Sequence, residues 1–195
     1  MNRRIQAAAT TKADILSAAR AVFGSTGFAD ASLEAITSRA NVTTGAIYHH
    51  FGGKQALFEA VAETVEQDIL TAVLKAAASE SDPERQLAMG MRAMLTQAAQ
   101  GDVRQIVFID APAVFGPARW REVETRYAYG LMHQSLSTLS ANSARSGFDP
   151  DIAAPVLLGA LVEAARAVAC AGDPVAAQRR AERILGAVLA GLLRH

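Results

Sequence analysis

Between Ser32 and Lys54 the chain reads SLEAITSRANVTTGAIYHHFGGK, and its polar side chains share one chemistry. Thr43, Thr44, Tyr48 and Lys54 can donate hydrogen bonds to phosphate oxygens, and His49 and His50 can do so through a ring N–H. Gly45 and Ala46 lack bulk, so the backbone beside them can approach a large ligand closely. Ser32 completes this candidate contact set. Catalytic chemistry has no comparable pattern. The chain holds no G-x-S-x-G, H-E-x-x-H, P-loop or G-x-G-x-x-G. One cysteine with His133 is too little for a triad or a zinc site, so no metal and no cofactor is expected.

The same stretch has the pattern of two short helices joined by a tight turn. Leu33, Ile36 and Ala40 recur at helical spacing, and Ser32 is placed to cap the helix that carries them. Asn41 tolerates the left-handed conformation that ends a helix. Thr43 or Thr44 then caps a second helix, with Ile47 and Phe51 facing inward and Thr44, Tyr48 and His49 largely outward. This is a helix-turn-helix, whose second helix lies in the DNA major groove. No Arg or Asn stands in that helix for bidentate reading of a base, so specificity is expected to be modest or to rest on thymine methyls and DNA shape.

Residues 11–58 resemble the N-terminal domain of TetR-type transcriptional regulators. The likeness lies in an opening helix, AARAVFGSTGF, and in the dense run TTGAIYHHFGGKQALF, and it covers about a quarter of the chain. A second stretch, Asp110–Tyr129 (DAPAVFGPARWREVETRYAY), resembles the regulatory domain of one TetR subgroup. The resemblance implies a dimeric repressor with a ligand-binding C-terminal domain.

Composition agrees with a globular, all-helical chain. Of its 195 residues 51% are hydrophobic and 19% charged, alanine is abundant, and β-branched runs are few. The formal net charge is zero, yet residues 1–54 carry six basic against three acidic side chains and the remainder thirteen against sixteen. A basic head on an acidic body suits a nucleic-acid-binding module joined to another function. Cys170 is the single cysteine, expected to be a buried, inert thiol, and intrachain disulfides are excluded, as suits a reducing cytoplasm. No signal peptide is visible, and the apolar run Ile152–Val162 is too short to span a bilayer. No membrane association is expected.

Nine helices are expected: three in a DNA-binding domain of residues 1–53, and six in a ligand-binding and dimerisation domain of residues 54–195. Met1–Thr10 is expected to be a tail whose Arg3 and Arg4 can reach a groove or phosphate, and the first helix to run from about Thr11 to Ser25. Gly27 ends it, and Phe28 tucks back into the core. A long helix then links head and body from Lys54 to about Ser79. Asp82-Pro83, Asp149-Pro150 and Asp173-Pro174 each mark a helix start with a capping carboxylate before proline. Gly101-Asp102 precedes a short helix over Val103–Asp110. Pro112, Gly116 and Pro117 interrupt the next few residues, and a helix then runs from about Ala118 to Ser143.

Two features of the body point to sites. Ala181, Leu185, Val188 and Leu192 recur at four-three-four spacing, and Ala160 and Ala164 are small enough for a close helix–helix approach, so two helices from each of two copies are expected to form a homodimer interface. Met89, Met94, Phe108, Phe115, Trp120, Tyr127 and His133 supply flexible and aromatic side chains able to line a pocket for an apolar or aromatic small molecule. The resulting expectation is a ligand-responsive, dimeric, cytoplasmic repressor acting on a double-stranded DNA operator. The alternatives are a DNA-binding regulator without an effector, or a small helical enzyme or carrier.

Overall fold

The computed structural model describes residues 3–142 and 147–194, with side chains from Thr10 onward apart from those of Tyr127 and Asn142. Every described element is helical. The order is α1 (Arg3–Asp30), α2 (Leu33–Ala40), α3 (Thr44–Phe51), α4 (Lys54–Ala77), α5 (Pro83–Ala98), α6 (Gly101–Val103), a π-helical segment (Arg104–Asp110), α7 (Ala111–Phe115), α8 (Pro117–Asn142), α9 (Pro150–Ala169) and α10 (Pro174–Leu192).

Three differences from the sequence expectation have local causes. Helix α1 begins at Arg3 rather than Thr11, because Ala7, Ala8 and Ala9 are strong helix formers and nothing before Thr10 breaks the run. The side chains of Arg3 and Arg4 lie outside the described set. The stretch Ala111–Phe115 is helical despite Pro112, which sits in its first turn, where an N–H would have no helical partner. The break falls instead at Gly116, at φ 83°. Among the described residues there are thus ten α-helices and a π segment, where about nine helices were expected.

The helices form two compact units. The first holds residues up to Glu66 together with Gly101–Pro117, and the second holds Gln67–Gln100 together with residues from Ala118 on. In the first, Ile15, Ala19 and Phe23 of α1 are buried with Ile36, Ile47, Leu57, Phe58, Ile106 and Val107. Phe58 is the hub. Its ring lies 5.0 Å from Phe23, 4.9 Å from Phe28 and 5.6 Å from Phe115. Phe28 does tuck back as expected, just after the α1 kink at Gly27 (φ 78°, ψ 166°).

In the second unit α9 is buried through Ala154, Leu157, Leu158, Leu161, Ala165 and Val168 and packs on α5 and α10. The three aspartate–proline starts cap as expected: Asp82, Asp149 and Asp173 accept the N–H of Arg85, Asp151 and Ala176 at 3.0, 2.9 and 2.9 Å. Although the run Ile152–Val162 is short, the whole of α9 is long and apolar enough to cross a membrane by length and composition, with half of that span buried inside the chain. Cys170 corrects another expectation. It is the C-cap of α9 and is exposed, one step beyond the buried Val168 and Ala169.

The dimer seam expected on α10 also divides. Ala181 and Leu185 are buried within the chain, on a face completed by Ala177 and Leu189, whereas Val188 is exposed and Leu192 half-buried. The spacing of that stripe is right for a packed helix face, and the face is covered by this chain's own helices. The apolar side chains left open on the two C-terminal helices are Ile152, Val156, Val175, Ile184 and Val188. Ala160 and Ala164 are half-buried.

Glu124 on α8 is half-buried, four residues after Trp120. Desolvation pushes its carboxyl above the ordinary value of 4.5, against the pull of the Arg166 and Arg121 guanidiniums and of the Trp120 indole, while Glu163 adds to the push. The folded chain therefore holds this proton more tightly than the unfolded chain. Its effect on stability is neutral at low pH and becomes a penalty as pH rises from about 4.5 through the higher folded value. Glu124→Gln is expected to remove that penalty. In denaturant titrations from pH 4 to 7 the variant should gain on the parent as pH rises, and a parent that instead gains on the variant would show that the arginines outweigh burial.

Candidate nucleic-acid interface

Helix α2 starts where Ser32 Oγ accepts the N–H of Ala35 at 3.1 Å, and ends at Asn41, at φ 52° and ψ 47°, whose N–H turns back to Thr37 O. Val42 N–H also donates to Thr37 O, at 3.1 Å, which closes the turn. Thr43, rather than Thr44, then caps α3: its Oγ1 accepts the N–H of Ala46 at 3.3 Å. Thr44 is thereby exposed as the first residue of α3.

One residue anchors α3. Ile47 is wholly buried and Phe51 half-buried, with Lys12 Nζ 5.7 Å from the Phe51 ring centre. The opposite side carries Thr44, Gly45, Tyr48 and His49, all exposed, with Ala46 and His50 at its margins. Tyr48 is 56% exposed, although an aromatic side chain of that size ordinarily gains by burial. Gly52, at φ 87°, ends the helix with its N–H on Tyr48 O. Gly53 follows at φ 142°, and a Cβ there would stand 3.6 Å from Tyr48 Cε1. The face offers hydroxyls, ring N–H groups and an aromatic edge, a set suited to phosphate and groove contacts.

Two expected contacts have other tasks. Ser32 uses its oxygen as the cap of α2. Lys54 Nζ donates to Ala29 O at 3.2 Å and sits 4.6 Å over the Phe28 ring. That ammonium binds the end of α1 to the start of α4, a role its spacing from the reading helix does not reveal.

The pocket candidates do not fall in one unit. Phe108 and Phe115 belong to the first, with Phe108 buried and Phe115 stacked on Phe58. Met89 and Met94, both half-buried, and Trp120, buried, belong to the second. The side chain of Tyr127 lies outside the described set. His133 Nε2 is 2.8 Å from Asp151 Oδ1 and its ring 6.0 Å from that of Tyr129, a half-exposed polar position rather than an apolar lining. The second unit also carries an open groove of about 740 Å³ on α10, lined by Ala176, Arg179, Arg180, Glu182 and Arg183. Its arginine lining differs from the apolar pocket expected. The sequence reading passed over the raised carboxyl of Glu124, whose four-residue spacing from the buried Trp120 on α8 is the signal that could have found it.

Known proteins share this arrangement. The family described as "Bacterial regulatory proteins, tetR family" matches residues 15–61, and the "Tetracyclin repressor-like, C-terminal domain" matches residues 84–192. The HTH-type transcriptional regulator UidR of Escherichia coli (strain K12) is 43% identical over 51 residues, which are 26% of this chain and 26% of UidR, so the match takes in about a quarter of that relative's length. The crystal structure of a TetR-family transcriptional regulator from Pectobacterium atrosepticum superposes with a TM-score of 0.85 at 30% identity, covering 100% of this chain and 99% of that one. RolR in complex with resorcinol shares the fold, with a TM-score of 0.67 at 21% identity over 97% of this chain and 95% of RolR. With family matches on both the reading helices and more than half of the whole length, this chain belongs to the TetR family of DNA-binding transcriptional regulators and is not an enzyme.

Proposed function

We propose that the protein is a homodimeric repressor that binds a double-stranded operator through α3 and is released from it by a small, mostly apolar or aromatic molecule. The observation that carries the DNA-binding half is the open face of α3, where Thr44, Tyr48 and His49 project while Ile47 anchors the helix. Reading is assigned to residues 1–53, which hold every outward group of α3, and effector binding and dimerisation to residues 54–195. A resorcinol complex of RolR, a protein of the same fold, supports an aromatic effector. Met89, Met94 and Trp120 are the assigned contacts in the second unit. The cytoplasm is the assigned compartment, where operator DNA is present and an exposed Cys170 stays reduced.

Lys54 separates two ways of supporting DNA binding. As a phosphate contact it would be neutralised by substitution, so Lys54→Ala should weaken duplex binding about equally across sequences and lower the salt slope by roughly one. A weakened variant with an unchanged slope would leave Lys54 only as the anchor of Ala29.

A helix-turn-helix reader is paired with a second half-site about 34–36 Å away, which requires two heads. The dimer face is assigned to the open side of α9 and α10, with Ile184 65% and Val188 44% exposed and the small Ala160 and Ala164 half-buried. Ile184→Glu or Val188→Glu should give folded monomers in sedimentation and a loss of operator affinity. Leu185→Glu, which puts a charge in this chain's own core, should instead lower stability itself. Dimers persisting in both surface variants would place the interface elsewhere.

Release follows from linkage. A ligand that binds best when the heads are wrongly spaced must weaken DNA binding by the factor by which DNA weakens ligand binding. Helix α4, Lys54–Ala77, contributes to both units and is the assigned mechanical link. Trp120 is the only tryptophan. Titration with aromatic compounds should change its fluorescence and release labelled operator over one concentration range, and a compound that saturates the fluorescence change without altering operator affinity would defeat this mechanism.

A further inference from the structure

The last turn of α1 is capped from a distant part of the chain. Gly27 breaks the helix at φ 78°, so the N–H of Phe28, first after the break, is not directed at an α-helical carbonyl. It donates instead to Asp110 Oδ2 at 2.8 Å, across 82 positions of sequence. A carboxylate accepting a backbone N–H at the start of a helical turn is a charge-assisted cap. One segment upstream, Asp102 Oδ2 meets Arg20 Nε of α1 at 2.9 Å. The approach between these segments is close: a Cβ on Gly24 would stand 2.7 Å from Asp102 Cβ, and one on Gly27 would stand 3.1 Å from Gln105 Nε2.

Asp102 and Asp110 are eight residues apart. In an α-helix eight residues make about 2.2 turns, which would carry the second carboxylate roughly 80° around from the first. Between them lies the π-helical stretch Arg104–Asp110, which ends with Ala111 N–H on Ile106 O. Its wider i→i+5 turns rotate less per residue and reduce that overshoot, so both carboxylates reach α1. The capped turn is also gripped from α4, since Ala29 O accepts Lys54 Nζ and Phe28 lies under that ammonium. Two residues beyond Asp30 stands Ser32, the N-cap of α2. The orientation of this turn therefore sets the direction in which the helix-turn-helix leaves α1.

We propose that Asp102 and Asp110, brought into register by the π-helical segment, form a two-point latch on α1, and that Asp110 is a positioning residue for operator binding. The proposal rests on the DNA-binding reading above. The latch touches no DNA. It acts by holding the Phe28–Asp30 turn in one orientation, so that α3 is presented without the ordering cost a loose head would carry.

The test compares Asp110→Ala, Asp110→Asn and Gly24→Ala in the full-length protein. Operator affinity is measured as a function of salt, and hydrogen exchange at the Phe28 amide is followed in parallel. Asp110→Ala should bind operator about tenfold more weakly. Its salt slope should stay that of the parent, since no phosphate contact is lost, and its Phe28 amide should exchange faster. Asp110→Asn keeps an acceptor oxygen and should restore affinity to within about twofold of the parent. Gly24→Ala keeps both carboxylates but pushes Asp102 away from α1, and should weaken binding although alanine favours a helix. It carries the test if Asp110→Ala does not fold. Parental affinity in a variant whose Phe28 amide exchanges faster would overturn the latch, as would a lowered salt slope or a failure of Asp110→Asn to restore binding. A parent protein that binds no duplex at any salt would instead refute the DNA-binding reading and leave the exchange measurements to judge the cap.

Discussion

A head of about fifty residues cannot cover its own core, and that shortage governs how the reading helices are held. Helix α1 and the two short helices α2 and α3 meet at Ile15, Phe23, Ile36 and Ile47. Apolar surface that completes this core comes from outside these helices, in Phe58 of α4 and Phe115 of the stretch before Gly116. Phe58, wholly buried, touches rings from α1 on two sides and Phe115 on a third. Removing a ring of this size from a closed core costs about 3–5 kcal/mol, comparable to the whole stability of a small domain. The reader thus shares a core with α4 and with Gly101–Phe115, and its geometry is a property of all three segments.

The parts of this arrangement legible from sequence are those decided by neighbouring residues. Ser32, Asn41 and Thr43 each specify a cap or a left-handed turn through their own side chains, and the helix ends fall where they stand. The three aspartate–proline pairs behave alike. What escaped reading depends on partners far along the chain. Gly101–Phe115 looks like a short body helix interrupted by proline, yet it packs with α1, and its two aspartates find α1 atoms 82 positions away. Lys54 has the composition and place of a phosphate contact, and only the fold reveals Ala29 O as its acceptor.

Periodicity failed at one point for an instructive reason. Ala181, Leu185, Val188 and Leu192 have the spacing of a helix seam, but a stripe states that a face is apolar, not which helix covers it. Ala181 and Leu185 are spent on the chain's own packing, together with Ala177 and Leu189. Ile184, one position from Leu185, faces out. A rotation of about 100° between adjacent helical residues separates an internal contact from a surface available to a second copy. Cys170 illustrates the same limit, exposed although the two residues before it are buried.

The chemistry of α3 explains why positional accuracy should matter so much to this protein. Its outward groups are a hydroxyl, a phenol and imidazoles, with no arginine fork for a guanine and no amide for an adenine. Each contact is therefore modest, and phosphate contacts of this kind set register rather than sequence. Under the proposed function, affinity comes from many weak contacts made at once, on two heads and with a matching DNA shape. Such a sum is large only if every contact is satisfied in a single placement, because freedom in the head is lost on binding and subtracts from the total. A reader built from strong individual contacts could tolerate a loose mounting. On the proposed reading this one relies on Thr44, Tyr48 and His49 and cannot, and the helices around it are held by a shared aromatic core, a lysine on Ala29 O and an aspartate on the Phe28 amide. On that reading the same dependence is what an effector would exploit, since a displacement too small to break any one of these supports is still enough to misplace a set of contacts that count only together.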